Sequence, residues 1–316
     1  MKNVLITSRS FGQASREPFE ILEAAGISYD MMGADYSDEK FSARIADYDA
    51  LIIGGHVFDP DDMGRCKNLK IIAKHGAGLD NINTGKAKAQ GITVTNVPAM
   101  NSNAVADLAF ALILNVCRGV SLTNSQVHSG QWKVYIGRDA YAKTLGLIGF
   151  GAIAKNVARR AAGFSMNVLA YDPFVKEVPE EFSGFVTLCD FDTVLAKSDI
   201  VSIHVPLTAE TRDMFNGDTL PRMKKDAVLV NTGRGGIINE GDLYTCMKAG
   251  HLLGTALDVT ASEPVEQDNP LLSLDNVIIT PHIGMYSVEA VSAVSIVCAN
   301  NVVKKLNGQT PEFVIV

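Results

Sequence analysis

The chain has 316 residues, 47% hydrophobic and 20% charged, with a formal net charge of −7. A single hydrophobic core stops growing near this length, so the composition is that of a globular chain with two cores. The acidic balance excludes a surface that binds nucleic acid or anionic lipid by charge, and no run of about 20 apolar residues is present to cross a bilayer.

Met1–Ser8 has the β-branched pattern of a first strand and lacks the features of a secretion leader. Val4–Thr7, Ser28–Met31, Ala50–Ile53, Ile71–Lys74 and Thr93–Asn96 continue as strands, with helices at Pro18–Ala25, Glu39–Ile45 and Gly85–Gln90. Short strands alternating with helices predict parallel βαβ units. Asn103–Arg118 is apolar on nearly every face and predicts a helix buried all round. A second series of six strands follows: Thr144–Ile148, Asn167–Tyr171, Ile200–Val205, Val228–Asn231, Leu253–Asp258 and Val277–Thr280. A last helix spans Ser287–Leu306. The fold class is therefore α/β, with two doubly wound parallel sheets: a flavodoxin-like domain and a Rossmann domain. The five cysteines, Cys66, Cys117, Cys189, Cys246 and Cys298, form no closely spaced pair and read as reduced thiols of a cytoplasmic protein.

Gly149-Phe150-Gly151-Ala152-Ile153-Ala154 follows the strand Thr144–Ile148 and opens a helix. This is the G-x-G-x-x-A pattern that cradles a pyrophosphate: Gly149 makes the tight turn, Gly151 lets backbone approach the anion, and the helix N-terminus supplies free N–H groups. Asp172 ends the next strand, 18 residues beyond Ala154. A carboxylate there accepts from ribose hydroxyls and repels a 2′-phosphate, so the expected cofactor is NAD. The six histidines show no metal-ligand spacing, and no metal is expected.

Three strings sit at strand ends, where open α/β sheets bind ligands. They are Asn231–Gly236, Leu257–Pro264 and Thr280–Gly284, and they deliver Arg234, Glu263 and His282. A guanidinium grips a carboxylate and polarises an adjacent carbonyl. An imidazole gives and takes a proton near neutral pH, and a neighbouring carboxylate orients it. Lys74-His75-Gly76-Ala77-Gly78, in the first domain, makes an anion-binding nest from the N–H groups around Ala77 and Gly78.

Together with His204-Val205-Pro206-Leu207-Thr208, these strings make the chain resemble the D-isomer-specific 2-hydroxyacid dehydrogenase family over nearly its whole length. The resemblance implies a substrate-binding domain at 1–100, completed by 285–316, an NAD-binding Rossmann domain at 101–284, and an active site in the cleft between them. It implies Arg234, Glu263 and His282 as catalytic residues. Implied cofactor contacts are Gly149, Phe150, Gly151, Ala152, Ile153, Asp172, His204, Pro206, Thr211, Thr232, Asp258 and Gly284; implied substrate contacts are Lys74, Ala77, Gly78, Asn101 and Arg234. Asp258 matches the position that contacts the nicotinamide carboxamide. Within the family the phosphoglycerate dehydrogenase branch is most similar, with Lys74 where that branch carries an arginine. Gly54, Gly55 and His56 stand where it carries another, and Met285-Tyr286-Ser287 replaces the usual small residue and threonine. The implied substrate pair is 3-phosphoglycerate and 3-phosphohydroxypyruvate; glyoxylate or hydroxypyruvate reduction, and a non-catalytic NAD-sensing module, are the alternatives. The implied assembly is a homodimer with Asn103–Arg118 at its interface, with no nucleic acid or membrane partner.

Overall fold

The computed structural model describes residues 2–33 and 35–316, which leaves Met1 of the first predicted strand outside the described residues. The chain divides into two compact units, Met1–Asn101 with Met285–Val316, and Ser102–Gly284.

Unit 1 contains β1 (Asn3–Ile6), α1 (Glu17–Ala24), β2 (Ser28–Met31), α2 (Asp38–Arg44), β3 (Ala50–Ile53), α3 (Pro60–Arg65), β4 (Ile71–Lys74), α4 (Thr84–Ala89) and β5 (Thr93–Thr95), and it is completed by the C-terminal helix Val288–Leu306. Its strands are all parallel in the order β2-β1-β3-β4-β5, the flavodoxin-like arrangement. Every residue of β3 and β4 is buried, as strands covered by helices on both faces require. Leu5, Leu51, Ile53 and Ile72 pack with Phe41 and Phe58 on one face. On the other, Val4, Ile6, Ile52 and Ala73 pack with Val294, Cys298 and Val302 of the C-terminal helix. The sequence reading missed α3, a six-residue helix that starts at a proline and carries only Met63 into the core.

Unit 2 runs α5 (Ser102–Arg118), α6 (Val120–His128), β6 (Thr144–Ile148), α7 (Ala152–Gly163), β7 (Asn167–Tyr171), β8 (Val186–Leu188), α8 (Phe191–Lys197), β9 (Ile200–Ile203), β10 (Val228–Asn231), α9 (Glu240–Lys248), β11 (Gly254–Leu257) and β12 (Val277–Ile279). The sheet is parallel, ordered β12-β11-β10-β9-β6-β7-β8. It has seven strands rather than the six expected. The addition, β8, is a three-residue edge strand paired with β7, too short to show a period in the sequence. Chain order reverses between β6 and β9, the switch point at which such sheets bind ligands.

The expectation for α5 is corrected. Val105, Ala106, Ala109, Phe110, Leu112, Ile113, Val116 and Cys117 are buried, but Asn103, Asp107, Ala111 and Arg118 form an exposed stripe. Asp107 pairs with Arg160, and Asn115 bonds Ser121. The small apolar Ala111 on the stripe made the helix read as apolar all round.

Beneath the strand ends of unit 1, His75 is 4% exposed. Its Nδ1 is 3.1 Å from Ser8 Oγ and its Nε2 is 2.8 Å from Ser295 Oγ. Burial, and then the charge of Lys74, push its pKa from 6.5 down to about 3. The unfolded chain therefore takes up this proton first on acidification, so stability rises with pH across that window and falls as pH drops from 6.5 toward 3. Unfolding free energies from urea titrations at pH 7, 5 and 4 should decrease steadily, by up to about 1.4 kcal/mol per pH unit for this one residue. His75→Gln should flatten that limb; an equally steep limb would mean that other groups carry the acid sensitivity.

Candidate active site

The loop between β6 and α7 has the shape its sequence predicts. Gly149 has φ +88° and donates its N–H to Tyr171 O at 2.7 Å; a Cβ there would lie 2.9 Å from His204 O. Only glycine fits that combination of left-handed backbone and close strand contact. A Cβ on Gly151 would meet nothing within 4 Å, so the space outside the loop is open. Gly151 caps α7 with no side-chain bond, and among the described residues the N–H groups of Ala152 and Ile153 have no acceptor. Ala154 is fully buried against the sheet. Asp172 Oδ2 accepts from Phe150 N at 2.8 Å and Oδ1 from Phe174 N at 2.9 Å, so this carboxylate also fastens the glycine loop to the end of β7.

At the end of β10 the buried Asn231 folds the next turn. Its Oδ1 accepts from Gly233 N at 2.9 Å, and its Nδ2 donates to Arg234 O at 2.8 Å. Arg234 Nη1 donates to Gly233 O at 2.8 Å. Sequence reasoning took the asparagine as strand and missed its role, although an Asn ahead of a glycine turn is a usable signal. Gly235 lies against the next strand-end loop, where a Cβ would fall 1.9 Å from Thr260 O. That loop is tied down by Glu240, whose Oε1 accepts from Ala261 N at 2.6 Å and Oε2 from Asn269 Nδ2 at 2.7 Å. Glu240 was not foreseen, because its partners lie more than 20 residues away.

Glu263 and His282 meet. Nδ1 of the imidazole is 2.8 Å from Glu263 Oε2, and Glu263 Oε1 accepts from Thr260 N at 3.3 Å. Both side chains are half-exposed, and Nε2 of His282 has no partner among the described residues. Burial pushes the Glu263 carboxyl up, but the bond and charge of His282, the Thr260 N–H and the Arg234 guanidinium together hold it below its ordinary range. Glu263 is thus a carboxylate at neutral pH, and it accepts the Nδ1 proton.

His282 has φ +53°, an uncommon conformation for this residue, and Asp258 holds it there. The Asp258 carbonyl accepts from His282 N at 2.8 Å. Its Oδ1 accepts from Thr280 Oγ1 at 2.6 Å and Ile283 N at 2.8 Å, and its Oδ2 accepts from Gly284 N at 2.8 Å. Burial raises the Asp258 carboxyl from its ordinary value, against those bonds and the charge of His282. The side chain expected at the carboxamide is first of all the clamp of the histidine turn.

His204, at the end of β9, is neutral. Its Nε2 is 2.9 Å from Ser202 Oγ, its Nδ1 is 3.4 Å from Thr232 Oγ1, and burial pushes its pKa down to about 3. Thr211 Oγ1 donates to Pro206 O at 2.7 Å and closes the loop beyond it.

In unit 1, Gly76 has φ +137°, and among the described residues neither Ala77 N nor Gly78 N has an acceptor. Asn96 Nδ2 donates to Ala77 O at 2.7 Å and fixes the turn. Asn101 is half-buried in the turn that ends this stretch. Lys74, an implied substrate contact, is buried and held by groups of unit 1. Lys74 is 9% exposed, and its Nζ donates to Gly54 O at 2.6 Å and Asn81 Oδ1 at 2.9 Å. A buried ammonium needs such acceptors, and here they are the backbone and side chain of the neighbouring loops.

Comparison with known proteins accords with this geometry. The profile described as "D-isomer specific 2-hydroxyacid dehydrogenase, NAD binding domain" matches residues 110–284. The chain belongs to this family. NAD is accordingly its cofactor, and the open, side-chain-free cradle at Gly149–Ile153 fits a pyrophosphate. Among family relatives, the D-3-phosphoglycerate dehydrogenase of Archaeoglobus fulgidus is 38% identical over 297 residues, 93% of this chain and 56% of that protein. The chain thus spans about half the length of that curated relative. The hydroxypyruvate reductase of Thermotoga maritima is 43% identical over 246 residues, 76% of this chain and 78% of that one. The crystal structure of a glyoxylate reductase from Paecilomyes thermophila superposes with a TM-score of 0.86 at 28% identity, covering 99% of this chain and 98% of that one.

The packing of Gly235 on Thr260 yields a test. Gly235→Ala forces the Thr260–Glu263 backbone to move, because the atoms it meets are backbone rather than a yielding side chain. Any dehydrogenase kcat/KM should fall by about 10²-fold, the usual effect of an ångström-scale misplacement, while NADH binding measured by fluorescence should change little. Wild-type kinetics in the variant would show that this loop does not set the active geometry.

Proposed function

We propose that the chain reduces a small 2-keto acid to the D-2-hydroxy acid with NADH, and catalyses the reverse with NAD. The observation that carries this reading is the 2.8 Å His282–Glu263 pair, near the Arg234 guanidinium, on the strand ends of an NAD-binding domain. NADH, when bound at Gly149–Ile153 with Asp172 at its ribose, supplies the hydride for C2. His204, Pro206, Thr211, Thr232, Asp258 and Gly284 complete the walls of that cofactor site.

Arg234 takes the substrate carboxylate and polarises the keto oxygen. As C2 is reduced, negative charge grows on that oxygen, and His282 donates its Nε2 proton there; in the oxidative direction Nε2 removes it. Glu263 fixes the ring through Nδ1 and stabilises the imidazolium between turnovers. Asp258 keeps the ring in place through the turn. Ala77 and Gly78 N–H groups receive carboxylate oxygen, and Asn101 is a further substrate contact. The preferred substrate pair is 3-phosphohydroxypyruvate and 3-phosphoglycerate, with hydroxypyruvate or glyoxylate as the second reading, favoured by Gly54-Gly55-His56 supplying no arginine.

The assembly we propose is a homodimer. Exposed apolar side chains of unit 2 cluster in the sequence after α5 rather than on it: Trp132 is 89% exposed, Val134 89% and Ile136 90%, with Val120, Val127 and Tyr141 exposed in the same stretch of chain. Tyr135 and Gly137, between these residues, seat the segment on Gly119 and Cys117 and leave the apolar side chains outward. A patch of this kind marks an interface. Five free cysteines accord with a reducing compartment such as the cytoplasm.

Initial rates with NADH and a panel of 2-keto acids test the activity. His282→Ala should lower kcat by about 10²–10⁴-fold, and Arg234→Ala should raise KM as well as lower kcat. A protein that binds NADH and turns over no member of the panel is a sensor, and the catalytic reading is then wrong. Light scattering should give a dimer at micromolar concentration, with Trp132→Glu shifting it toward monomer; a monomeric wild type would remove the dimer.

A further inference from the structure

The loop after β1 carries an arginine that the reading above leaves without a task. Unit 1 has four arginines. Arg16 pairs with Glu20 and Glu23, Arg44 with Asp30, and Arg65 with Asp62. Arg9 is exposed and has no carboxylate partner among the described residues; its Nε donates to Gly33 O at 3.2 Å, which pins the side chain and leaves the two terminal nitrogens of the fork without a protein acceptor.

The ground around it is bare. A Cβ on Gly33 would stand 3.0 Å from Arg9 Cα, and one on Gly54 would stand 3.0 Å from Ser8 Cα, so a side chain at either position would crowd the backbone of the loop after β1. A Cβ on Gly55 would meet nothing within 4 Å. The ends of β1, β2 and β3 thus interlock through backbone, with the guanidinium above a glycine floor. The same floor carries a cation: Gly54 O takes the buried Lys74 ammonium, whose charge helps to hold His56 and His75 neutral, while Asp38 acts on His56 in the opposite sense. Arg9 itself pairs with no carboxylate among the described residues, and it stands at the carboxyl edge of an open parallel sheet, where ligands bind.

We propose that Arg9 is a specificity-determining residue, the cation of an anion subsite on unit 1 that takes a second negative group, phosphate or carboxylate, carried by the 2-keto acid. This rests on the keto-acid reading. A guanidinium fork held at Nε presents two parallel N–H donors, the geometry both anions accept.

The experiment compares kcat/KM for 3-phosphohydroxypyruvate against hydroxypyruvate, and for oxaloacetate against pyruvate, in the full-length protein. The wild type should favour the anionic member of one pair, and that pair tells phosphate from carboxylate. Arg9→Ala should cut the ratio by about 10- to 100-fold. Arg9→Lys should keep part of it, and Arg9→Gln, which retains a donor for Gly33 O, should lose it as Arg9→Ala does. Arg16→Ala, a surface control, should leave the ratio alone. A ratio that stays the same in Arg9→Ala and Arg9→Gln, or a wild type with no anionic preference in either pair, overturns the subsite. The thermal midpoint supplies a readout without turnover: 3-phosphoglycerate should raise it more than D-glycerate, and Arg9→Ala should abolish the difference. If no keto acid is reduced but this difference holds, the catalytic reading fails and the subsite stands; turnover with Arg9-independent ratios is the opposite outcome.

Discussion

One buried carboxylate holds the histidine turn of unit 2 in place. Asp258 is 1% exposed and accepts from Thr280, Ile283 and Gly284 with its side chain and from His282 with its carbonyl. Withdrawing a carboxylate from water is costly, and only several good donors offset it. Those donors are the turn that carries the imidazole. The residue that needs the turn and the turn that needs the residue therefore fix each other, and His282 keeps a left-handed backbone it would otherwise rarely adopt.

The other functional groups are placed by the same logic at neighbouring strand ends. Asn231 folds the turn of Arg234 by bonding on both sides of it. Glu240 anchors the loop of Glu263 from α9. Asp172 bonds the glycine loop it faces. In each case a polar side chain on a rigid element satisfies backbone groups of the adjacent loop, so the loops are ordered without regular structure of their own. Parallel pairing brings all these ends to one edge of the sheet, which is why residues from 149 to 284 gather there.

Unit 1 uses a different device. Its strand-end loops approach so closely that a side chain at Gly33 or Gly54 would crowd the neighbouring backbone, and Lys74 is drawn inward to satisfy Gly54 and Asn81. The buried positive charge remains felt there, because a low-dielectric setting screens it poorly.

The sequence by itself determined the architecture and marked the residues that the fold gathers at the strand ends of unit 2. The β-branched runs located strands such as β3 and β4 to the residue, since strands buried on both faces are mostly apolar. The glycine spacing located the cradle, because a tight turn and a close backbone approach have no other solution. Arg234, Glu263 and His282 were legible because each sits in a short string at a strand end. What only the tertiary structure decided were matters of partner and exposure. An apolar composition does not reveal which stripe of α5 faces solvent, and a three-residue edge strand such as β8 carries too few residues for a period. Nor does a lysine beside a glycine turn disclose whether it points out or in. Lys74 turned inward because Gly54 O and Asn81 Oδ1 lie within reach, and those groups come from loops seven and twenty residues away in the chain, brought beside it only by folding.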